Sequence, residues 1–366
     1  MRVRVFTAVV AAGATCAVLL AARPTAAPVA PSTGVTLKAI GPLAFGPGHI
    51  LFAADTDAAA IVALDLGAGK GAPGAKPTAE FDQQLASLLG TTPSAVAITD
   101  MAVQPGTRHA YFSVMRGTGA DAKPALVRLD GAGALTLVAL DKVPYTTAAL
   151  PNAPAAAPTE RRNPRPLSVT DMVFHDGRLL VAGLSNEEFS SKLRAVKYPF
   201  ESVDAGTSVE IYHGNHGALE TRSPVYTLTP YAIGGTPHLL AGYLCTPLVK
   251  FPASVVTAGG KVRGTTIAEL GNRNRPIDMF VYSKDGKDYL LMSNTSRGVM
   301  KIPADTFGAA APITERVEAE KAGVPYETVT SLTGVEQMDL FDKTHALVLA
   351  RPAADAPRTL TLVPLP

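Results

Sequence analysis

The sequence predicts an all-β fold, a six-bladed β-propeller, from its composition, a recurring strand triplet and the turn residues between strands. Of 366 residues, 47% are hydrophobic and 17% charged, with 32 Gly and 30 Pro. Such a chain forms a packed core, which excludes global disorder, a collagen-like repeat and a coiled coil. Short apolar runs separated by Gly and Pro are typical of strands and turns.

A unit of three strands recurs along the chain. The first strand is clearest at residues 99–103, 170–174 and 277–281, which share an Asp-Met pair, and is weaker at 41–45 and 336–340. Continuous apolar runs follow at 50–54, 110–115, 179–184, 239–245, 289–292 and 346–350. Alternating third strands follow at 61–65, 126–130, 209–213, 248–252, 299–303 and 360–364. Six triplets predict six blades, or seven if one unit is degenerate.

Fourth strands and the N-terminal strand predict how the ring closes. Candidate fourth strands lie at residues 135–140, 225–228, 265–270 and 328–332. Residues 35–40 have the same character, and the last unit ends after its third strand. We therefore expect the N-terminal strand to complete the last blade, which would leave no open sheet edge.

Two short helical inserts interrupt the strands. Residues 81–89 have apolar side chains at helical spacing, and Gly90 predicts the end of that helix. The sequence 185–188 has the form of a capping box, which predicts a second helix continuing to Val196. The Pro/Ala-rich segment 143–166 is typical of a loop.

The N-terminal segment is typical of a secretory signal peptide. Arg2 and Arg4 precede an apolar stretch, and small residues follow near position 27. We expect a signal peptide at 1–27, a flexible lead-in at 28–34 and one propeller domain at 35–366, secreted or periplasmic and without a stable membrane span. Removing Arg2, Arg4 and Arg23 changes the formal charge from +2 to −1, which gives no reason to bind nucleic acid. After cleavage Cys245 is the one cysteine, so no internal disulfide is expected.

Missing residue types exclude several propeller classes. The chain has no Trp, on which Trp-Asp repeats and quinoprotein docking motifs both depend. No Cys-x-x-Cys-His motif occurs, so covalent c-type haem is excluded. Basic residues are scattered, which again argues against nucleic acid as a partner.

Polar residues at strand ends predict a site on one face of the ring. The first strand of a blade begins on the face where the second strand ends. We therefore expect three groups of residues to lie together around the channel. These are the aspartates of the first strands, residues near the ends of the second strands, and residues of a nearby loop. They are Asp100, Asp171 and Asp278; Arg116, Asn186 and Asn294; and Arg273 and Arg275.

Two interpretations of the aspartates stay open. Three carboxylates around a channel repel one another unless a cation binds them. One hypothesis is therefore a divalent-metal site, such as Ca²⁺, on Asp100, Asp171 and Asp278, with Asn186 and Asn294 as neutral ligands. The other is that each aspartate accepts backbone N–H bonds and fixes its own blade.

The pair His213 and His216 has the spacing of two metal ligands in one turn. Gly214 and Gly217 accompany them, and no third His and no Cys that would support a metal site is evident in the sequence. A plain turn is the favoured interpretation.

Gly41-Pro42, Phe45, the run 50–52 and Asp55, with the alternation of Asp-Met strands and apolar runs, resemble six-bladed propellers of the gluconolactonase, strictosidine-synthase and NHL type. The resemblance implies a metal-dependent lactonase or esterase, although Ile40 stands where such enzymes usually carry an acidic residue. We expect a binding module for a partner protein or a polar small ligand. The alternative is a metal-dependent hydrolase of the gluconolactonase-like type.

Overall fold

The structure, a computed structural model, describes residues 28–157, 163–245 and 247–366. Its strands form six sheets arranged as the blades of a propeller, so the predicted all-β, six-bladed fold is confirmed. The predicted signal peptide lies outside the described residues and stays a prediction. Within the described ranges, no helix is both long enough and apolar enough to cross a membrane.

The chain builds the first two blades as an interlocked pair. Blade 1 begins with β1 (Ser32–Thr33), β2 (Leu43–Phe45), β3 (Ile50–Asp55) and β4 (Ala60–Asp65). The helix α1 (Phe81–Leu89) leads to blade 2, which contains β5 (Val96–Val103), β6 (Ala110–Arg116), β7 (Lys123–Leu129) and β8 (Leu135–Leu137). The chain then returns to blade 1 with β9 (Pro144–Ala149), which pairs between β4 and β1.

Blades 3 and 4 also share a crossing segment. Blade 3 contains β10 (Asp171–His175), β11 (Arg178–Leu184), β12 (Ser191–Lys197), β13 (Thr207–His213) and β14 (Ala218–Glu220). Blade 4 begins with β15 (Val225–Ile233), β16 (Thr236–Tyr243) and β17 (Pro247–Pro252). The chain then pairs β18 (Lys261–Arg263) in parallel with β13 before β19 (Thr265–Glu269) completes blade 4.

The last two blades follow in order. Blade 5 contains β20 (Pro276–Lys284), β21 (Lys287–Asn294) and β22 (Gly298–Pro303); β23 (Ala322–Gly323) then extends blade 4, and β24 (Glu327–Thr328) completes blade 5. Blade 6 has three strands, β25 (Val335–Leu340), β26 (His345–Ala350) and β27 (Thr359–Pro364). Short 3₁₀ helices occupy Pro93–Ala95, Gly119–Asp121, Arg165–Ser168, Ala253–Val255 and Ala304–Thr306.

The order of the blades in space differs from their order in the chain. The innermost strands contact one another in the cyclic order β2, β10, β15, β20, β25 and β5, so the ring runs through blades 1, 3, 4, 5, 6 and 2. Hydrophobic clusters fill the junctions accordingly: one joins Phe112 of blade 2 to Leu347 of blade 6, and another joins Phe52 of blade 1 to Val181 of blade 3. Blade 2 therefore closes the ring between the first and last blades.

The predicted closure by the N-terminal strand is wrong. Residues 35–40 lie between blades 1 and 2, where Ile40 is buried in their shared core and the Asp55 carboxylate accepts two backbone N–H bonds from this segment. The edge of blade 6 is covered instead by a bridge between Thr78 and Leu360. The N-terminal segment therefore fills the junction of blades 1 and 2, whereas the insert before blade 2 reaches the outer edge of blade 6.

One predicted helix is confirmed and the other is wrong. Helix α1 ends at Gly90, whose φ of 62° is left-handed. The predicted second helix is the strand β12, in which Leu193 packs toward blade 4 and Val196 toward blade 1. Side chains that point alternately to two neighbouring blades are typical of a strand with both faces covered. The backbone N–H of Ser185 closes the turn before this strand by donating to Ser190 O at 2.8 Å.

Because a helix was predicted in place of β12, the predicted positions of the following strands within their blades are also wrong. Residues 209–213, predicted as a third strand, lie in the fourth strand β13. Residues 225–228, predicted as a fourth strand, begin β15, the innermost strand of blade 4. Blade 4 therefore does have the first strand that the sequence pattern did not show.

A buried ion pair attaches the last blade to the insert before blade 2. Nη1 of Arg358, in the turn before β27, lies 3.0 Å from Oδ1 of Asp82 in α1. The backbone N–H of Arg358 donates to Oδ2 of the same carboxylate at 2.9 Å. Both side chains are largely buried, so this contact links blade 6 to the helix that packs beside blade 2.

The substitution Arg358→Ala is expected to lower the free energy of unfolding by about 3–5 kcal/mol, because it leaves the Asp82 carboxylate buried without its cation. Urea denaturation measures this loss. Arg316→Ala is the matched control, since its pair with Glu318 is exposed and such pairs contribute about 0–1 kcal/mol. Equal losses for the two variants would contradict the assigned role.

Candidate functional site

A cavity of about 1130 Å³ opens on the face where the first strands begin. Asp100, Asp171 and Asp278 line it together with Asn294 and Arg275, and we call it the cup. A narrower cavity of about 210 Å³, the channel, is lined by the same aspartates and by Asp339. The structure therefore brings five of the eight predicted site residues to one cavity.

The other three predicted residues do not line the cup. Nη1 of Arg116 donates to the carbonyl oxygen of Leu89 at 3.1 Å, so this side chain caps the C-terminus of α1. Asn186 is exposed, and its backbone N–H donates to Asn152 O. Arg273 is exposed and adopts a left-handed φ of 54°.

Asn294 lines the cup, but its amide serves the scaffold. Its Oδ1 accepts a hydrogen bond from Asn274 Nδ2 at 2.9 Å. Its Nδ2 donates to the carbonyl oxygens of Met292 and Gly298 at 3.2 and 3.3 Å. The oxygen proposed as a neutral metal ligand is therefore already bonded inside the protein.

The three predicted aspartates make the same inter-blade hydrogen bond. Oδ2 of each accepts the backbone N–H of the innermost strand in the next blade around the ring. The acceptor–donor pairs are Asp100 with Leu43 at 2.6 Å, Asp171 with Leu228 at 2.7 Å, and Asp278 with Met338 at 2.7 Å. Oδ1 of Asp100 and of Asp171 also accepts the N–H of the following residue. The carboxylates thus fix their own strands and join neighbouring blades.

A fourth aspartate, Asp339, was missed by the sequence analysis. Its Oδ2 accepts the backbone N–H of Val103 in blade 2 at 2.7 Å, which bridges the junction where the ring closes. It lies two residues after Gln337, whose place in its strand matches that of the other aspartates. The weak repeat at 336–340 was the available signal, but its acidic residue is displaced along the strand.

Burial and mutual repulsion raise the pKa values of these carboxyl groups. Burial raises the pKa of Asp100 and of Asp278 well above the usual value, and the charges of the other channel aspartates add to the rise. Burial likewise raises the pKa of Asp171 to about 7 and that of Asp339 to about 6, although backbone N–H bonds oppose the rise. At neutral pH the floor of the cup therefore carries less negative charge than four free carboxylates would.

Arginines dominate the charge at the mouth of the cup. Three of them are paired with acidic side chains: Arg297 with Glu320, Arg351 with Glu336, and Arg358 with Asp82 and Glu336. Arg275 is exposed and makes no ion pair with any described residue. Its guanidinium carbon lies 5.4 Å from the ring centroid of Tyr226, which the sequence analysis also missed.

The geometry of potential metal ligands differs from the prediction. Among residues 28–157, 163–245 and 247–366, one group of three His, Cys, Asp or Glu side chains has its ligand atoms all within 4.8 Å: His213, His216 and Glu220. The channel aspartates do not form such a group. A metal bound by Asp100, Asp171 and Asp278 stays a prediction.

Comparisons with known proteins identify no family for this chain. No protein-family model and no curated protein matches the chain. Similar solved structures include a PQQ-bound aldose sugar dehydrogenase from Streptomyces coelicolor, with 12% identity and a TM-score of 0.35 over 93% of this chain and 97% of that one. A soluble aldose sugar dehydrogenase from Escherichia coli in the apo form has 11% identity and a TM-score of 0.38, covering 90% and 97%.

An exo-1,5-alpha-L-arabinanase from a bovine ruminal metagenomic library has 12% identity and a TM-score of 0.34, covering 73% of this chain and 93% of that one. At these scores the matches carry no argument about activity. The six sheets themselves establish the propeller, and the gluconolactonase, strictosidine-synthase or NHL type stays a prediction.

The raised pKa of Asp171 predicts a pH dependence of stability. Because its pKa rises from 3.8 to about 7 on folding, the folded chain keeps a proton that the unfolded chain releases between these values. The stability that this proton contributes is complete below the pKa of Asp171 in the unfolded chain. It is lost as the pH rises through the pKa of Asp171 in the folded chain. Asp171→Asn should therefore reduce the fall in stability between pH 5 and pH 7.5, measured by urea denaturation.

Asp57→Asn, at an exposed position, is the control for the loss of a carboxylate. An identical pH dependence in Asp171→Asn and the wild type would show that Asp171 does not titrate in this range.

Proposed function

We propose that the protein is a binding propeller whose cup takes a small hydroxylated carboxylic acid. The observation that carries this proposal is Arg275, an exposed guanidinium at the cup without an acidic partner among the described residues. Guanidinium groups bind carboxylates through two parallel N–H bonds, a geometry that favours a planar acid over a neutral ligand.

The charge distribution in the cup supports an anionic ligand. The floor aspartates already accept backbone N–H bonds, and their raised pKa values reduce their negative charge. The one unpaired charge among the described groups at the mouth is the cation of Arg275. The carboxylate of a ligand can therefore approach Arg275 at the mouth of the cup, while the neutral part of the same ligand lies above the floor.

Hydroxyl groups around the cup support a hydroxylated ligand rather than a purely apolar acid. They belong to Thr56, Thr295, Ser296, Thr328, Thr330 and Thr333. A hydroxyl both donates and accepts, so several of them can bond a polyhydroxylated molecule in more than one orientation. The position of Arg275 on the Tyr226 ring restricts the guanidinium, which lowers the entropy lost on binding.

The alternative, a metal-dependent hydrolase of the gluconolactonase-like type, has less support. Ca²⁺ needs six to eight oxygen ligands at about 2.3–2.6 Å. Here Asp100, Asp171 and Asp278 each accept hydrogen bonds from backbone N–H groups, and the side-chain oxygen of Asn294 accepts one from Asn274.

Export of the protein is also a proposal, and it rests on residues 1–27.

Arg275→Ala is expected to weaken binding of D-glucuronate to the cup at least tenfold, because it removes the guanidinium that pairs with the carboxylate. Isothermal titration calorimetry with D-glucuronate, and with D-glucose as the neutral probe, measures the effect. Glucose should bind at least tenfold more weakly than glucuronate to the wild type. Arg273→Ala is the matched control, because Arg273 is exposed two residues away and does not line the cup.

Failure of the wild type to bind glucuronate in the millimolar range, or equal binding by Arg275→Ala, would contradict the proposal. Binding of glucose as tight as that of glucuronate would show that hydroxyl groups, and not the carboxylate, direct recognition.

Calcium separates the two functions. We expect CaCl₂ added to metal-free protein neither to raise the melting temperature nor to accelerate hydrolysis of D-glucono-δ-lactone above the spontaneous rate. A Ca²⁺-dependent rate that disappears in Asp171→Asn would establish the hydrolase instead.

A further inference from the structure

A cluster of two histidines and a glutamate lies in the turn after β13. Nδ1 of His213 is 3.0 Å from Glu220 Oε1, and Nδ1 of His216 is 2.6 Å from the same oxygen. The two imidazole centroids are 3.7 Å apart. Imidazole nitrogens with a carboxylate oxygen are the ligands that Zn²⁺ and similar ions take in open, three-ligand sites.

The turn geometry brings these side chains together. The backbone N–H of Gly217, which has a left-handed φ of 64°, donates to His213 O at 2.8 Å and folds the chain back into β14. Glu220 then lies on β14 opposite Ile211, beside the imidazole of His213. The Ser223 hydroxyl donates to Oε2 of Glu220, which leaves Oε1 directed at both histidines.

The cluster lies on the outer edge of the ring, on the cup side. Asp171, at the start of β10, lines the cup, and β11, β12 and β13 follow in alternating directions. The end of β13 at His213 is therefore on the face where β10 begins. The side chain of His213 is 2% exposed, whereas that of His216 is 52% exposed, so the cluster is fixed on one side and open to solvent on the other.

A second carboxylate stands behind His213. Oε2 of Glu269, at the end of β19, is 3.7 Å from His213 Nε2, and both side chains are nearly fully buried. Neither of these two atoms has a hydrogen-bond partner among the described residues. Oε1 of Glu269 accepts the backbone N–H of Gly214 at 2.6 Å, which holds the carboxylate in place.

Proton placement explains why these two buried atoms are unpaired. For both Nδ1 atoms to donate to Glu220, each imidazole must carry its proton on Nδ1. A neutral His213 then turns an Nε2 lone pair toward the Glu269 carboxylate, and two acceptors cannot bond. A metal ion on Nδ1 moves the proton to Nε2, where it can be donated to Glu269, as metal-bound histidines commonly do to a carboxylate.

We propose that Nδ1 of His213, Nδ1 of His216 and a carboxylate oxygen of Glu220 bind one divalent transition-metal ion of the Zn²⁺ class. Glu269 is the positioning residue that orients His213 through Nε2. The coordination position on the His216 side faces solvent and takes water or an external ligand. The ion would cross-link the β13–β14 turn and, through Glu269, the outer strand of blade 4.

The test is titration of metal-free full-length protein with ZnCl₂ by calorimetry. We expect one equivalent to bind, and His216→Ala and Glu220→Gln each to weaken binding at least tenfold. Co²⁺ in place of Zn²⁺ should give visible absorption bands of a four-coordinate site, which disappear in both variants. His49→Ala is the matched control, because His49 is exposed and lies outside the cluster.

His216 is half exposed, so its loss should leave the circular dichroism spectrum unchanged and a loss of binding interpretable. Asp171→Asn should bind Zn²⁺ as the wild type does, which separates this site from the channel. No Zn²⁺ uptake by the wild type, or equal affinity in the wild type and both cluster variants, would overturn the proposal.

Discussion

The innermost strand of every blade is a sheet edge, so the backbone N–H groups that it turns toward the channel have no strand to pair with. Leaving such a group buried and unbonded costs about 1–3 kcal/mol. Four aspartates supply the missing acceptors, each from one blade to the next in the same sense around the ring. The packing of the blades around the channel depends on these bonds.

Like charges in a narrow channel limit where such acceptors can stand. In the spatial order of the blades, the residues that match Asp100 in the repeat of innermost strands are Asp100, Pro42, Asp171, Thr227, Asp278 and Gln337. Acidic and neutral residues alternate at this level, so Asp100, Asp171 and Asp278 are each flanked by blades without a carboxylate at the matching position, and Asp339 lies two residues further along its strand. The alternation lowers the repulsion between carboxylates without abolishing it, and the remaining repulsion adds to burial in raising their pKa values.

Local patterns in the sequence were sufficient to predict the blades and the three first-strand aspartates, because strand period and the Asp-Met repeat are short-range signals. The order of the blades was not predictable, since it depends on how residues 66–95 and β9 pack against blades that are distant in sequence. Leu193 and Val196 fit a helix as well as a strand, and only the neighbouring blades decide between them. Glu269 escaped notice because it reaches His213 from another blade.

The junction of blades 4 and 5 carries a cation, Arg275, that has no acidic partner among the described residues. Tyr226 belongs to blade 4 and Arg275 directly precedes blade 5, so their contact spans a junction at which Thr227 replaces an aspartate. At the closing junction, Arg351 and Arg358 both pair with Glu336 of blade 6. Arg358 also pairs with Asp82 of α1, which attaches blade 6 to the insert before blade 2. Charge at the closing junction therefore stabilises the fold, whereas the guanidinium at the junction of blades 4 and 5 is free to bind the carboxylate of the ligand that we propose.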